Sequence, residues 1–368
     1  MKIDIHSIDR TNFMVHQHKV GDHDCFLVQP VPFGTVWNKD NIIFRSSLWD
    51  AEGNPVSLSF KKFFNLEEKP DLFPTPTSLA YARLMEKLDG STLIFSKYKG
   101  NLVVRTRGTV DVRAQPNGNE VDFLLNKYPK FKAFLDSANN TQSFIFEWTT
   151  PSNRIVLDYG NEPDMALIGM IYHDDYSMVS QAALDGLAQG LNLRRPKTYS
   201  YESIEDVKKA VADMRDKEGI CLYYNNEQDI LKIKSAHYLM LHRLKSEVSN
   251  IENVIDAYLS YKDVLCDHYP SYDEFFEYLS KTYDYEIAVM AKDHITKIVE
   301  GIGEVFEILS DMAVFAKKLE GLSRKEQAAI ILRTHGQTNR ASYVFAILDK
   351  KPFDKDKIKK LLLQVLKK

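Results

Sequence analysis

A lysine stands two residues before an aspartate and three before a glycine in the segment Lys87-Leu-Asp-Gly-Ser. Held beside such an Asp-Gly turn, a lysine amine that has lost its proton can act as a nucleophile toward a phosphoryl group. The unperturbed pKa of lysine is about 10.4, so nearby cations or a metal ion would have to lower the pKa of Lys87. The segment alone also fits a solvated lysine before a surface turn, because so short a match arises often by chance.

Charged residues suited to phosphate or metal binding follow Lys87 along the chain, each beside a strand-like run. In order, they are Arg105 and Arg107, Glu147, Glu218, and Lys232 and Lys234. The two basic pairs would lower the pKa of the nucleophile and neutralise charge on a triphosphate. The two carboxylates suit Mg²⁺ or ribose hydroxyls. Asp89, two residues after the lysine, would orient the amine or assist the metal.

Alternative interpretations of these patterns are structural. Lys232 and Lys234 share one face of a strand, with Ile233 turned to the core, and line one wall of a phosphate pocket; the same pattern also protects edge strands from aggregation. Glu218 before Gly219 also fits a strand-entry turn, and the two arginines fit the end of a surface hairpin. Five sequence elements thus follow one another: the Lys87 segment, the arginine pair, Glu147, Glu218 and the lysine pair. Their occurrence in this order favours the functional interpretation.

Composition bounds the class of protein. The chain has 368 residues, 44% hydrophobic and 27% charged, which predicts two unequal globular domains. No apolar run approaches the ~18 residues of a membrane span, and the N-terminus lacks the apolar stretch of a secretory signal. We therefore expect a cytoplasmic protein. The net charge of -3 leaves polyanion binding to local basic clusters.

Cysteine and histidine patterns predict neither a disulfide framework nor a zinc site. The three cysteines, Cys25, Cys221 and Cys266, are far apart and not in paired spacing. The His and Asp residues between positions 16 and 24 fit no metal motif and are more typical of a surface loop. The basic residues Arg324, Lys325, Arg333 and Arg340 form a candidate RNA-contacting stripe, although a solvated helix face is the favoured interpretation.

The spacing of apolar residues along the chain changes near residue 248. Before it, short strand-like runs predict hairpins of residues 42–49 with 56–60 and of 93–96 with 102–106, and helices over 121–136 and 203–215, the second capped by Ser203. After it, the apolar spacing is helical, with capping signatures at Ser271 and Ser323. We therefore predict an α+β domain over residues 1–247 and an all-α domain over 248–368 without an oligonucleotide-binding barrel.

The five elements, in this order, resemble the covalent nucleotidyltransferase superfamily of ATP-dependent ligases and mRNA capping enzymes. Four further segments are similar to the bacteriophage-type ATP-dependent single-strand RNA ligases of the tRNA-repair class. These segments are residues 44–46 (FRS), 62–66 (KFFNL), 151–159 (PSNRIVLDY) and 232–238 (KIKSAHY). The similarity runs from about residue 41 to 245. It implies a nucleotidyltransferase fold with ATP-grasp-like antiparallel sheets of the ligase and capping type, followed by a helical domain that is a candidate RNA-specificity module.

The resemblance also implies roles for individual residues. Lys87 would become linked to AMP, while Arg45 and Lys62 hold the outer phosphates of ATP. Glu147 and Glu218 would bind ribose or metal, and Tyr238 matches a tyrosine near the nucleotide. Arg107, Lys232 and Lys234 would bind phosphate, and Arg105 would bind the nucleotide beside Arg107. The catalytic residues would be Lys87, Asp89, Lys232 and Lys234. Arginines 105 and 107 stand where the family's best-known member has lysines, which changes hydrogen-bond geometry.

The implied reaction has three steps: formation of lysyl-AMP, transfer of AMP to an RNA 5′-phosphate, and attack by an RNA 3′-hydroxyl that releases AMP. It implies ATP and Mg²⁺ or Mn²⁺ as cofactors, and single-stranded or broken RNA, with tRNA as one option, as partner of a monomer. Tyr172, Ile168 and Met170 are candidates for packing on the base. A DNA-joining or end-adenylating enzyme and an RNA-end binding protein without catalysis are the alternatives.

Overall fold

The computed structural model of the chain describes residues 1–265, 268–282, 285–336 and 340–367. It contains two compact units, Met1–Met240 and Leu241–Lys368. The first unit mixes strands and helices, and the described residues of the second form helices and their connections. The predicted boundary at 247/248 falls near the end of helix α5 (Ala236–Val248), which crosses this division. The predicted α+β class with a helical C-terminal region is confirmed.

Three sheets build the first unit. The first has the order β1-β2-β3-β4, the second β10-β9-β7-β8 and the third β11-β6-β12-β13-β5. The strands are β1 (Phe13–Val20), β2 (His23–Pro30), β3 (Ser47–Asp50), β4 (Pro55–Leu58), β5 (Phe64–Asn65), β6 (Arg83–Lys87), β7 (Ser91–Tyr98), β8 (Asn101–Thr106), β9 (Gln142–Thr149), β10 (Asp164–Tyr172), β11 (Thr198–Tyr199), β12 (Gly219–Tyr224) and β13 (Asp229–Lys234). Neighbouring strands are antiparallel except β13 and β5, which are parallel.

The layers follow from the alternation of side chains along strands. On β9, Phe144 and Phe146 pack against the helices α1 (Glu120–Lys127), α2 (Pro129–Ser137) and α3 (Gln181–Leu191). Ile145, between them, packs on the opposite face in a core that includes Met85 and Tyr223 of the third sheet. Because side chains alternate with period two, Glu147 shares the face of Ile145 and points between the two sheets. Helix α4 (Ile204–Ala212) covers the far side of the third sheet.

Two predicted elements differ in the structure. The run predicted as a strand over residues 42–49 begins as a 3-10 helix, Ile42–Arg45, and only Ser47–Asp50 pair as β3. The helix predicted over residues 121–136 is two helices, because Pro129 begins α2. A proline is favoured in the first turn of a helix, where its missing N–H is not needed, and disrupts a helix interior. The predicted cap at Ser203 is confirmed, since its side chain accepts from the Asp206 N–H.

The second unit packs its helices around one apolar core. The helices that follow α5 are α6 (Ile251–Leu265), α7 (Tyr272–Thr282), α8 (Tyr285–Lys317), α9 (Arg324–His335), α10 (Ala341–Leu348) and α11 (Lys355–Leu366). The predicted capping boxes form, because Ser271 and Ser323 each exchange hydrogen bonds with the glutamate three residues later. Among the described helices, none is long and apolar enough to cross a membrane.

Candidate active site

Lys87 is the last residue of β6. The register of the third sheet aligns it with Gly219 of β12 and Lys234 of β13. Gly219 on β12 lies opposite Lys87 on one side and opposite Lys234 of β13 on the other. Gly219 has φ +150°, and a Cβ there would lie 2.0 Å from the carbonyl oxygen of Ile233. Only glycine fits this close approach. The glycine therefore lets the strands that carry the two lysines pack against the same short segment.

Glu218 joins the two lysines. Its side chain is 3% exposed, its Oε2 lies 2.8 Å from Nζ of Lys87, and its Oε1 lies 2.9 Å from Nζ of Lys234. One buried carboxylate thus neutralises two ammonium groups, each with one oxygen. Charge-assisted contacts of this kind are strong and fix both partners in place. The sequence predicted that Glu218 and the two lysines would share a site, and the structure brings them together.

The pKa of the Lys87 ammonium is raised in this environment. Burial acts to lower it, but the charge of Glu218, then those of Cys221 and Glu147, and the hydrogen bond to Glu218 raise it by more. The prediction that neighbouring cations lower the pKa of Lys87 is therefore wrong for this arrangement. The amine is held as a cation, and its proton lies next to a carboxylate that can accept it.

Glu147 also lies near Lys87, and the turn that follows Lys87 fixes its side chain. The Gly90 N–H donates to Oε1 of Glu147 at 3.0 Å. A Cβ on residue 90 would lie 2.4 Å from the carbonyl oxygen of Trp148, which explains the glycine of the Asp-Gly turn. Burial raises the pKa of Glu147 to about 7, with Lys87 opposing and Glu218 adding to this rise. A positive ligand would favour the ionised form of this carboxyl.

Asp89 anchors the neighbouring loop. Its Oδ2 accepts from the N–H groups of Val156 at 2.8 Å and Leu157 at 2.9 Å, and its Oδ1 accepts from the Tyr238 hydroxyl at 2.7 Å. Its own N–H donates to the Tyr159 hydroxyl at 2.9 Å. The carboxylate is thus occupied by donors other than Lys87. This arrangement favours a positioning role for Asp89 over the predicted contact with the amine or a metal.

Four cations lie together beside this group, and we call them the cation cluster. The cation cluster consists of Arg45, Lys62, Arg107 and Lys232. None of the four forms an ion pair with another of the described residues. Burial, followed by repulsion from Lys62, lowers the pKa of Lys232 to about 8, and burial with repulsion from Arg107 lowers that of Arg45 to about 10. Such mutual repulsion marks a surface shaped for an anion of several charges.

Aromatic rings support the cation cluster. The Arg45 guanidinium lies 4.5 Å from the centre of the Phe63 ring, and Nζ of Lys232 lies 5.7 Å from the same ring. Nζ of Lys62 lies 4.7 Å from the Phe64 ring. Cation–π contacts stabilise the charges without neutralising them. These two phenylalanines stand inside the KFFNL segment. The sequence alone does not predict their contacts with the cations, because these contacts depend on how β5 pairs with β13.

Arg105 differs from its predicted role. It is fully buried, and its five N–H donors reach the Ser57 hydroxyl and carbonyl, the Ser46 hydroxyl and carbonyl, and the Thr106 carbonyl. The Ser46 hydroxyl in turn donates to the Arg107 carbonyl at 2.8 Å. With all of its donors used, the guanidinium has none left for a nucleotide. Arg105 instead holds together the segments that carry Arg45 and Arg107, which is a correction to the expected nucleotide contact.

The three candidates for packing on a base are now separated. Met170 packs into the core beneath the helices, and Tyr172 is 41% exposed at the end of β10. Ile168 packs on the face between the sheets, against the core that also contacts Phe63 and Cys221. Ile168 is therefore the candidate that shares a face with Glu147 and the cation cluster.

Other predicted features lie apart from this site. The residues between positions 16 and 24 form the β1–β2 hairpin, in which Lys19 pairs with Asp24 at 3.0 Å. In the basic stripe of the helical unit, Arg324 pairs with Asp349 at 2.8 Å. Cys25 and Cys221 are free thiols, and Cys266 lies outside the described residues. No group of three potential metal ligands from His, Cys, Asp and Glu occurs within the described ranges.

A family model described as RNA ligase matches residues 47–253. This match covers more than half of the chain and includes Lys87, both carboxylates and both lysines of β13. The chain belongs to the RNA ligase family. Among curated proteins, this RNA ligase family member is 27% identical over 220 residues to a protein of Autographa californica nuclear polyhedrosis virus named as a bifunctional polynucleotide kinase/RNA ligase. The alignment covers 53% of this chain but only 30% of the viral protein.

The solved structures that the chain matches include proteins described as ligases for RNA and for DNA. An archaeal ATP-dependent RNA ligase has 13% identity and a TM-score of 0.46, with 78% of this chain and 76% of that chain covered. A protein described as an ATP-dependent DNA ligase from Aquifex aeolicus has 14% identity and a TM-score of 0.49, with 84% and 85% covered. Likeness at this level does not distinguish an RNA from a DNA substrate for the present RNA ligase family member.

Proposed function

We propose that this chain is an ATP-dependent RNA ligase that joins an RNA 5′-phosphate to a 3′-hydroxyl through lysyl-AMP and RNA-adenylate intermediates. The observation that carries the proposal is the placement of Lys87 near Glu218 and Glu147 and next to the cation cluster, which forms no ion pair within the described part of the chain. A buried amine, a carboxylate able to take its proton and a surface for several negative charges are what attack on a nucleoside triphosphate needs. Membership of the RNA ligase family supports the same conclusion.

In the first step, Nζ of Lys87 forms a bond to the α-phosphorus of ATP, and the bond from that phosphorus to the pyrophosphate oxygen breaks. The ammonium must lose a proton first, and Oε2 of Glu218, 2.8 Å away, is placed to accept it. The cation cluster would hold the β- and γ-phosphates and stabilise the charge that passes to the leaving pyrophosphate. The products are lysyl-AMP, pyrophosphate and the proton.

Glu147 and Glu218 are the residues that would hold a divalent cation, which we propose to be Mg²⁺. Their carboxylate oxygens are the ligands that Mg²⁺ prefers, and phosphate oxygens of the nucleotide would complete its coordination. Glu147 fits this role better, because both oxygens of Glu218 already contact lysines. When bound, the cation supplies positive charge to the phosphates. Since a Naegleria gruberi RNA ligase mutant has been solved with ATP and Mn, Mn²⁺ is the second cation to try.

Broken or single-stranded RNA is the proposed substrate, with tRNA repair as the proposed setting and a monomer as the acting form. The signatures that favour RNA are the KFFNL and PSNRIVLDY segments. The structure gives the second one a role, because Asp89 of the nucleophile turn binds its backbone at Val156 and Leu157. The resemblance to bacteriophage enzymes rests on these segments as well.

The test is incubation with Mg²⁺ and ATP labelled at the α-phosphate, followed by denaturing electrophoresis. We expect covalent label on the wild-type protein and none on Lys87→Ala. A matched control is Lys97→Ala, which removes a lysine from β7 whose Nζ donates to the carbonyl of Asp136. Lys97→Ala should label like the wild type. Equal labelling of Lys87→Ala, or no label with Mg²⁺ or Mn²⁺, contradicts the proposal.

The choice of RNA is tested separately with 5′-phosphorylated RNA and DNA strands of the same sequence. We expect AMP transfer and sealing on RNA, with DNA at least tenfold less reactive. Preference for DNA would establish the alternative of a DNA-joining or end-adenylating enzyme. Retained RNA-end binding without lysyl-AMP would establish a binding protein without catalysis.

A further inference from the structure

An open groove of about 410 Å³ runs beside β13 on the first unit. Residues of β5 and the turn after it, of α4, of β13 and of α5 line it. These residues are Asn65, Leu66, Glu67, Lys208, Lys232, Ile233, Lys234 and Leu239. The groove exists because β5 is only two residues long and pairs with Leu231 and Lys232 alone, so the rest of that edge of β13 is left uncovered. Its volume is within the range of ligand-binding clefts.

The lysines that line the groove differ in their partners. Lys232 belongs to the cation cluster and has no ion pair among the described residues. Lys208 of α4 lies 2.6 Å from Glu67, with side-chain exposures of 38% and 62%, and Lys234 pairs with Glu218. Leu66 and Leu239 provide apolar contact, and Leu239 is 49% exposed. A groove lined by lysines and apolar side chains suits a strand of phosphates and bases.

The direction of the groove follows from the geometry of phosphoryl transfer. If Lys87 attacks in line, pyrophosphate leaves from the side of the α-phosphorus opposite to the lysine. In the second step, Lys87 is the leaving group, so the attacking RNA 5′-phosphate must approach from that same side. The 5′-phosphate therefore takes the place that pyrophosphate vacates on the cation cluster. The nucleotides attached to it must extend from the cation cluster along an open path. The groove that Lys232 lines is such a path.

We propose that this groove binds the RNA strand that carries the 5′-phosphate, with Lys208 contacting a backbone phosphate a short way from the end. The proposal rests on the proposed ligase function and names the place of one of its substrates. The ion pair with Glu67 is exposed to solvent and can exchange for a phosphate, since solvent-exposed ion pairs add little stability. Lys208 is a substrate-binding residue in this account and takes no part in the reaction with ATP.

The experiment separates the two steps. Enzyme loaded with AMP is mixed with a 5′-phosphorylated RNA oligonucleotide, and AMP transfer is followed over a range of RNA and salt concentrations. For Lys208→Ala we expect unchanged lysyl-AMP formation but a half-saturating RNA concentration raised roughly three- to tenfold, with a salt slope smaller by about 0.7. Lys19→Ala, which removes an ion-paired lysine from the β1–β2 hairpin, is the matched control and should behave as the wild type.

A second variant tests the same groove by the opposite change of charge. Glu67→Lys removes the negative charge and adds a positive one, and it should lower the half-saturating RNA concentration. Unchanged AMP transfer in both variants overturns the proposal. So does equal loss of lysyl-AMP formation and transfer, which would place Lys208 in the ATP site. An effect confined to sealing of pre-adenylated RNA would assign the groove to the 3′-hydroxyl strand instead. Absence of lysyl-AMP in the wild type would reject the ligase function itself.

Discussion

The cation cluster of the first unit and the ion-paired Lys359 of the helical unit have different surroundings. In the first unit, burial and the charge of Arg45 both lower the pKa of Lys62 and of Lys232, and none of the three residues forms an ion pair among the described residues. In the helical unit, Lys359 lies 2.6 Å from Asp256. Grouped, half-buried cations oppose folding, whereas a paired lysine does not. The lack of carboxylate partners among the described residues, more than the number of lysines, therefore identifies a polyanion site.

A second contrast lies within one strand end. Arg105 and Arg107 are two residues apart, yet one is buried with five protein acceptors and the other is exposed at the edge of the cation cluster. Burial lowers the pKa of Arg105 to about 10, whereas Arg107 acts on its surroundings by lowering the pKa of Arg45. One arginine therefore stabilises the fold and the other is available to a ligand.

Replacing Arg105 or Arg107 by methionine should give the largest difference in the free energy of unfolding. Arg105→Met leaves the carbonyl groups of Ser46 and Ser57 without a donor in a buried position, and should lower the free energy of unfolding by about 3–5 kcal/mol. Arg107→Met should change it by less than about 0.5 kcal/mol while impairing lysyl-AMP formation. Urea denaturation and α-phosphate labelling measure the two quantities. Equal stability of the two variants would contradict the assignment of Arg105 as a structural residue.

Replacing one lysine in each unit tests whether unpaired and paired cations differ in their effect on lysyl-AMP formation. Lys232→Met removes a charge that would stabilise the leaving pyrophosphate, and should slow lysyl-AMP formation by about 10²–10³-fold. It should not lower the melting temperature, because it also removes repulsion from Lys62. Lys359→Met in the helical unit should leave lysyl-AMP formation unchanged. If Lys359→Met slowed this step as much as Lys232→Met, the distinction between unpaired and paired cations would not hold.

The smallest expected effect concerns pH. The pKa of Lys232 is lowered to about 8 by burial and by Lys62, so in the free protein its positive charge is present below pH 8 and lost above it. Tripolyphosphate should therefore bind more weakly at pH 9.5 than at pH 7, by about 30-fold at most. Lys232→Arg keeps its charge and should show a smaller loss. Calorimetry on both proteins checks this, and identical pH dependence would show that Lys232 does not titrate in this range.

Much of the site could be predicted because its residues stand at strand ends. Lys87, Glu147, Glu218 and the lysines of β13 were all recognisable beside strand-like runs, and the sheets bring them together. Which of them touch was not predictable, because contact depends on strand register. Gly219 faces both Lys87 and Lys234 only because β12 pairs between β6 and β13.

The misassigned features have physical reasons. The sequence pattern predicts a shared role for Arg105 and Arg107, because both are basic and stand beside the same strand-like run. The sequence did not reveal that Ser57 of β4 would cover Arg105, while β8 ends at Thr106 and leaves Arg107 uncovered. The break at Pro129 was visible in the sequence, since proline interrupts a helix interior, but the apolar spacing continued across it.

In the proposed reaction, Lys87 is the residue that receives AMP. Its most direct test is mass spectrometry of peptides from protein that has reacted with ATP and Mg²⁺ and has then been digested at neutral pH. We predict one AMP per chain, on the peptide that contains Lys87, through an acid-labile phosphorus–nitrogen bond. AMP on Lys232 or Lys234 instead, or no AMP on any peptide with either Mg²⁺ or Mn²⁺, would contradict the account.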